Sequence, residues 1–176
     1  MTAGIVVIGL GNVYRRDDGV GVVAAAAVER LALPGVDIHA GVSDPMDLIE
    51  AWSGRELAVV IDAAVTVPAV PGRVRRRSPT DLDAGDGLSS HGFDLAQAHA
   101  LGRALGRVPA AVVVFAVEVA DVGHGAGLSP RVAAAVSDVV ERVMDEVNRP
   151  QLSRTGRRAD LRSGARAPAA RGVSTA

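Results

Sequence analysis

The chain has 176 residues, 48% of them hydrophobic but only 2% aromatic, with no cysteine and a formal net charge of −1. This length, with a mean hydropathy of +0.24, fits one globular domain with a core of Val, Ala, Leu and Ile. The lack of cysteine excludes disulfides, thiolate metal sites and a cysteine nucleophile, and agrees with a cytoplasmic setting. From Arg149 onward seven arginines face Asp160 alone, a tail of +6, so residues 1–148 carry −7, an acidic body that disfavours binding to nucleic-acid phosphates.

Residues 4–9 are too short for a signal core and lack a basic leader. No apolar run approaches the roughly 20 residues needed to cross a bilayer. The expectation is a soluble protein without a membrane or nucleic-acid partner, and nothing in it requires more than a monomer. Residues 1–148 read as a single α/β domain. Residues 149–176, rich in Arg, Gly, Ser and Ala with little apolar periodicity, read as a disordered tail.

In chain order, Gly4 to Gly9 is a continuous apolar run of the kind buried on both faces of a parallel sheet. A helix is predicted from about Gly19 to Leu31, with Val20, Val23, Ala24, Ala27, Val28 and Leu31 as its buried stripe. A strand over Val36 to Ala40 follows. Asp44 then caps a short helix with Pro45 in its first turn and Met46, Ile49 and Trp52 inward. Leu57 to Ala63 is a second buried strand. Gly72 to Ser78 alternates Val74 with arginines and suits an edge strand, and Pro79 to Ser90 reads as a loop carrying Asp81, Asp83 and Asp86. Phe93 to Leu105 reads as a helix and Ala110 to Val119 as a β-branched strand. Ser129 and Pro130 open a last helix with Val132, Val136, Val139, Val140, Val143 and Val147 inward. The alternation predicts a three-layer α/β/α sandwich around a mostly parallel sheet of about five strands. In such sheets ligands bind outside the carboxyl ends of the strands.

Three side chains are expected at that edge. Asp18 follows the first strand in Asp17-Asp18-Gly19, Asp62 ends an otherwise apolar strand, and His91 sits in Ser90-His91-Gly92 before a helix. Asp17 reads as a helix-dipole partner instead. Carboxylate oxygens with one imidazole nitrogen suit a borderline divalent ion such as Ni²⁺ or Zn²⁺, and three protein ligands leave positions open for substrate or water. Among the rival histidines, His39 and His99 rank below His124, which lies on the loop after the last strand and is the reserve candidate. Gly9-Leu10-Gly11 lacks the third small residue of a dinucleotide fingerprint, since Tyr14 stands there, and both glycines read as serving a sharp turn. There is no nucleophile elbow, Walker loop or His-Glu-x-x-His helix.

The ordered set Gly9-x-Gly11-Asn12, Asp17-Asp18-Gly19-x-Gly21, Asp62, Ser90-His91 and Gly127-Leu128-Ser129-Pro130 resembles the hydrogenase maturation endopeptidases, from about residue 4 to 147. The resemblance implies the same sandwich and an aspartic-type endopeptidase that trims a C-terminal peptide from the NiFe hydrogenase large-subunit precursor. It also implies nickel, brought by the precursor, as the element recognised by Asp18, Asp62 and His91, with Asp18 or Asp62 activating water. One departure is Ala40-Gly41, where that family has an Asp-Gly pair; Asp44 is the nearest substitute. Two other readings stand beside this one. A peptidyl-tRNA hydrolase shares the Gly-x-Gly-Asn opening but needs a histidine where Arg16, Asp17 and Asp18 lie. A non-catalytic nickel-binding chaperone would use the same scaffold.

Overall fold

A computed structural model describes residues 4–78, 81, 88–89 and 95–149, with residues 88–89 described as backbone only. The expected tail from residue 150 onward therefore lies outside the described residues, as does His91. The strands are β1 (Ile5–Leu10), β2 (Val36–Val42), β3 (Leu57–Val65), β4 (Val74–Arg77), β5 (Leu88–Ser89) and β6 (Ala111–Val119). The helices are α1 (Val20–Glu29), α2 (Pro45–Trp52), α3 (Leu95–Ala104) and α4 (Pro130–Asn148), with a 3-10 turn over Arg16–Gly19 ahead of α1.

The sheet runs β2-β1-β3-β6-β4, the mostly parallel sheet expected from the alternation of apolar runs and helical stripes. β2, β1, β3 and β6 are parallel, and β4 closes one edge antiparallel to β6. β3 and β6 are apolar apart from Asp62 and Glu118, because helices cover both of their faces. Val7, Val59, Ile61, Phe115 and Val117 pack with α1 and α4. Val6, Ile8, Val60, Val112 and Val114 pack with Leu48, Ile49 and Trp52 of α2 and Leu95 and Ala98 of α3.

The short strand β5 falls inside the expected 79–90 loop. β3 outruns β1, whose pairing ends at Gly9–Ile61, and β5 binds antiparallel to the vacant edge at Ala64 and Val65. A strand pairing of this kind is dictated by a neighbour's free edge and carries no local hydrophobic period. The expected edge strand is β4. Its arginines alternate sides: Arg76 donates to Glu146 of α4 at 3.0 and 3.1 Å, while Arg75 points to the opposite face. Charge on an edge strand also blunts its tendency to pair with another chain.

Two helical stripes differ from expectation. In α1 the buried set is Val20, Gly21, Ala24, Ala25 and Val28, while Val23 and Leu31 are exposed. The helix turns its smallest residues to the sheet, and a Cβ on Gly21 would stand 2.4 Å from the carbonyl oxygens of Leu10 and Ile61. In α2, Leu48 and Ala51 join Ile49 and Trp52 in the core and Met46 is exposed. Asp44 caps this helix as expected, its Oδ1 accepting the amides of Met46 and Asp47. Met46 is thereby held in the first turn, outside the layer that Leu48 fills.

Candidate active site

The carboxyl edge of the sheet is assembled from the β1–α1 loop, the end of β3, the end of β6 and the loop after it. Gly11 has φ +114°, and a Cβ there would lie 1.9 Å from the carbonyl oxygen of Asp18. Only glycine lets the 3-10 turn fold back this tightly. Gly9 has another role than the expected turn. It lies within β1, and a Cβ on it would stand 2.3 Å from the carbonyl oxygen of Gly21 and 2.7 Å from Ala25 Cβ. It is the sheet's half of the close approach to α1.

Asp17 and Asp18 are both fully buried. Asp18 Oδ2 accepts the backbone N–H of Asn12 at 2.9 Å, which fixes its carboxylate against the start of the loop. Asn12 Oδ1 accepts the N–H of Tyr14, so this asparagine shapes the loop that presents Asp18. Asp17 is structural, as expected, but its partner is α4 and not the helix that follows it. Its Oδ1 accepts the Ser129 N–H at 2.6 Å and its Oδ2 the Ser129 hydroxyl at 2.9 Å, at the N-cap of α4. The adjacent loop is laced in by Arg16 N–H to Gly125 O, Gly125 N–H to Tyr14 O and Asp17 N–H to Asp121 O. These bonds hold Arg16 at φ 49°, an unfavourable region for a side-chain-bearing residue.

Asp62 lies near the end of β3, 6% exposed, its Oδ1 sealed from solvent, on the face shared with Val60 and hence with α2 and α3. It pairs in register with Ala116 of β6, which pairs with Arg75 of β4. The 3-10 turn carrying Asp18 packs against β3, so the two predicted acids reach one edge from different strands. Two residues beyond Ala116, on the same face, is an acid that the sequence reasoning passed over. Glu118 is fully buried and accepts from Arg73 Nε at 2.6 Å and Nη2 at 3.0 Å, Arg75 Nε at 2.7 Å, Thr66 Oγ1 at 3.1 Å and Val70 N–H at 2.9 Å. Burial pushes its carboxyl up, but the bonds from Arg73, Val70, Arg75 and Thr66 outweigh this and hold it at about 2. The signal was an acid inside an apolar strand opposite arginines at alternate positions of a second strand.

The histidines divide as follows. His99 packs edge-on against Trp52, with ring centroids 6.2 Å apart, a packing role. His39 is exposed on β2 and lines a cavity of about 400 Å³ with Ala40, Gly41, Asp47 and Glu50. His124 is exposed on the loop laced to residues 14–17, and its carbonyl accepts from Arg16 Nε. Asp44, the possible stand-in for the acid absent at Ala40, is engaged as the cap of α2. Among the described residues no three His, Asp or Glu side chains are grouped to hold a metal ion. The expected trio has its third member, His91, outside them. Among the described residues no helix is long and apolar enough to cross a membrane.

The fold and site define an α/β/α sandwich with buried acids at the carboxyl edge of its parallel sheet, and comparison with known proteins gives its family. A family model described as hydrogenase maturation protease matches residues 22–146, and the chain belongs to that family. The matched span includes Asp62 and His91 and begins just after Asp18. A hydrogenase 2 maturation protease of Escherichia coli strain K12 is 28% identical over 144 residues, covering 80% of this chain and 88% of its own length. A hydrogenase maturating endopeptidase from E. coli superposes with a TM-score of 0.73 at 24% identity, covering 83% of this chain and 93% of that one. A NiFe hydrogenase maturation protease from Thermococcus kodakarensis gives 0.68 at 22% identity, covering 82% and 99%. The fold is theirs, and the protein is a protease by family.

Proposed function

We propose that this protein is an aspartic-type endopeptidase that removes a C-terminal peptide from the nickel-loaded large-subunit precursor of a NiFe hydrogenase. The observation that carries the reading is the pair Asp18 and Asp62, two buried carboxylates delivered to one sheet edge in a chain of the hydrogenase maturation protease family. Nickel belongs to the substrate here: held by the precursor's thiolates, it is the anchor that Asp18, Asp62 and His91 recognise. An empty precursor offers no such anchor. Hydrolysis then needs a base. A carboxylate of this pair takes a proton from water as the oxygen adds to the scissile carbonyl, and the proton passes to the departing amine as the C–N bond breaks.

The reading is tested by incubating the protein with nickel-loaded and nickel-free precursor and following precursor mass. The loaded form is expected to lose a C-terminal peptide and the empty form to remain whole. Cleavage of both at equal rates would remove nickel as the recognition element. Binding of loaded precursor without any loss of mass would make the protein a chaperone and not an enzyme.

A further inference from the structure

We infer that Arg75 is a substrate-binding residue that grips a carboxylate of the precursor close to the bond being cut. The inference deepens the proposed function and rests on Asp62 belonging to the active site. Asp62, Ala116 and Arg75 stand in one row across β3, β6 and β4, paired Cα to Cα without a register shift. Paired residues of neighbouring strands project to the same side of a sheet, and two interstrand spacings separate Asp62 from Arg75 by about 10 Å at Cα. Ala116 between them is only a methyl group high. Asp62 and Ala116 are each 6% exposed and the Arg75 side chain 46%, so the row runs from a buried carboxylate to an exposed guanidinium.

The guanidinium is available for a ligand. Glu118 is one carboxylate serving two arginines, so the cluster keeps a surplus positive charge inside a body of −7. Arg73 spends Nε and Nη2 on Glu118. Arg75 spends Nε alone, its side chain is 46% exposed, and among the described residues its Nη atoms have no partner. An arginine clamped at Nε, with both Nη atoms unspent, is held in advance for a carboxylate. Extended peptide advances about 3.4 Å per residue, so a group gripped there lies about three residues from a bond held at Asp62. That carboxylate is an Asp or Glu side chain near the cut, or the precursor's own C-terminus folded back.

The test is steady-state cleavage of nickel-loaded precursor. Arg75→Gln is expected to raise KM about tenfold with kcat nearly unchanged, the size of one charge-assisted hydrogen bond, and Arg75→Lys to recover part of the loss. With wild-type enzyme, precursor in which acids near the cut are changed to amides should show the same KM rise, and Arg75→Gln should add nothing further. If C-terminally amidated precursor behaves this way instead, the terminus is the ligand. An unchanged KM for a folded Arg75→Gln, or no coupling of Arg75 to either precursor form, overturns the inference. The precursor arms on wild-type enzyme decide the matter should Arg75→Gln fail to fold. An Asp62→Asn variant run alongside separates the two levels. Its inactivity beside a silent Arg75→Gln sinks the arginine's role alone, whereas full activity removes the site itself.

Discussion

Glu118 is a buried acid whose charge survives because five donor atoms converge on it. It ties Thr66, Val70 and Arg73, which lie on the excursion between β3 and β4, down onto β6. Its carboxyl sits at about 2 in the folded protein against an ordinary 4.5. A group depressed by folding contributes stability above its unfolded value and loses it as pH falls toward its folded value. The expected result is that the denaturation midpoint falls steeply between about pH 4.5 and pH 2, and that Glu118→Gln, less stable at neutral pH, flattens that part of the profile. Equal slopes for both proteins in urea titrations would contradict this role. Asp62 stood out in the sequence as an acid within an apolar run, although the strand continues past the expected end to Val65. Glu118 has the same signature in Phe115-Ala116-Val117-Glu118, and it was the pairing of β4 with β6 that no local pattern revealed. Asp17 was read as a partner of the helix that follows it, whereas its bond to Ser129 spans more than a hundred residues and has no trace in the sequence.

At the scale of elements, the site depends on how closely α1 lies on the sheet. Gly9 and Gly21 face each other across that contact, and the helix is brought so near that its expected stripe turns by one residue. Hydrophobic period alone placed Val23 and Leu31 inward because it weighs a glycine as a gap. Close packing weighs it as a contact. Gly21→Ala is expected to cost about 1–3 kcal/mol through overpacking against the Leu10 and Ile61 carbonyls. It should also lower cleavage by shifting the turn that carries Asp18, whereas Ala substitution at the open position Gly35, φ +72°, strains only a surface turn. Equal melting temperatures for wild type and Gly21→Ala would show that the gap is wider than described. Elements with a strong apolar run (β1, β3, β6 and α4) were legible nearly to the residue, and β5 was not, since its existence follows from the length of β3.

Across the whole molecule, alternating elements were enough to set the sheet's layers and hence the edge at which acids gather. The expected edge collects Asp18, Asp62 and, beyond expectation, the Glu118–Arg73–Arg75 cluster. The chain belongs to the hydrogenase maturation protease family, and the proposed function places its chemistry at that edge. The alternative of a tRNA hydrolase loses its motivation, because its only support was the Gly-x-Gly-Asn opening, which here serves to fold the loop onto Asp18. The measurement that bears most directly on this account is the cleavage rate of nickel-loaded precursor by Asp62→Asn, read by mass spectrometry beside a melting curve showing that the variant is folded. Loss of cleavage by at least a hundredfold is expected for removal of a catalytic base, whose contribution is about 10²–10⁴. A folded variant that cuts at the wild-type rate would contradict it.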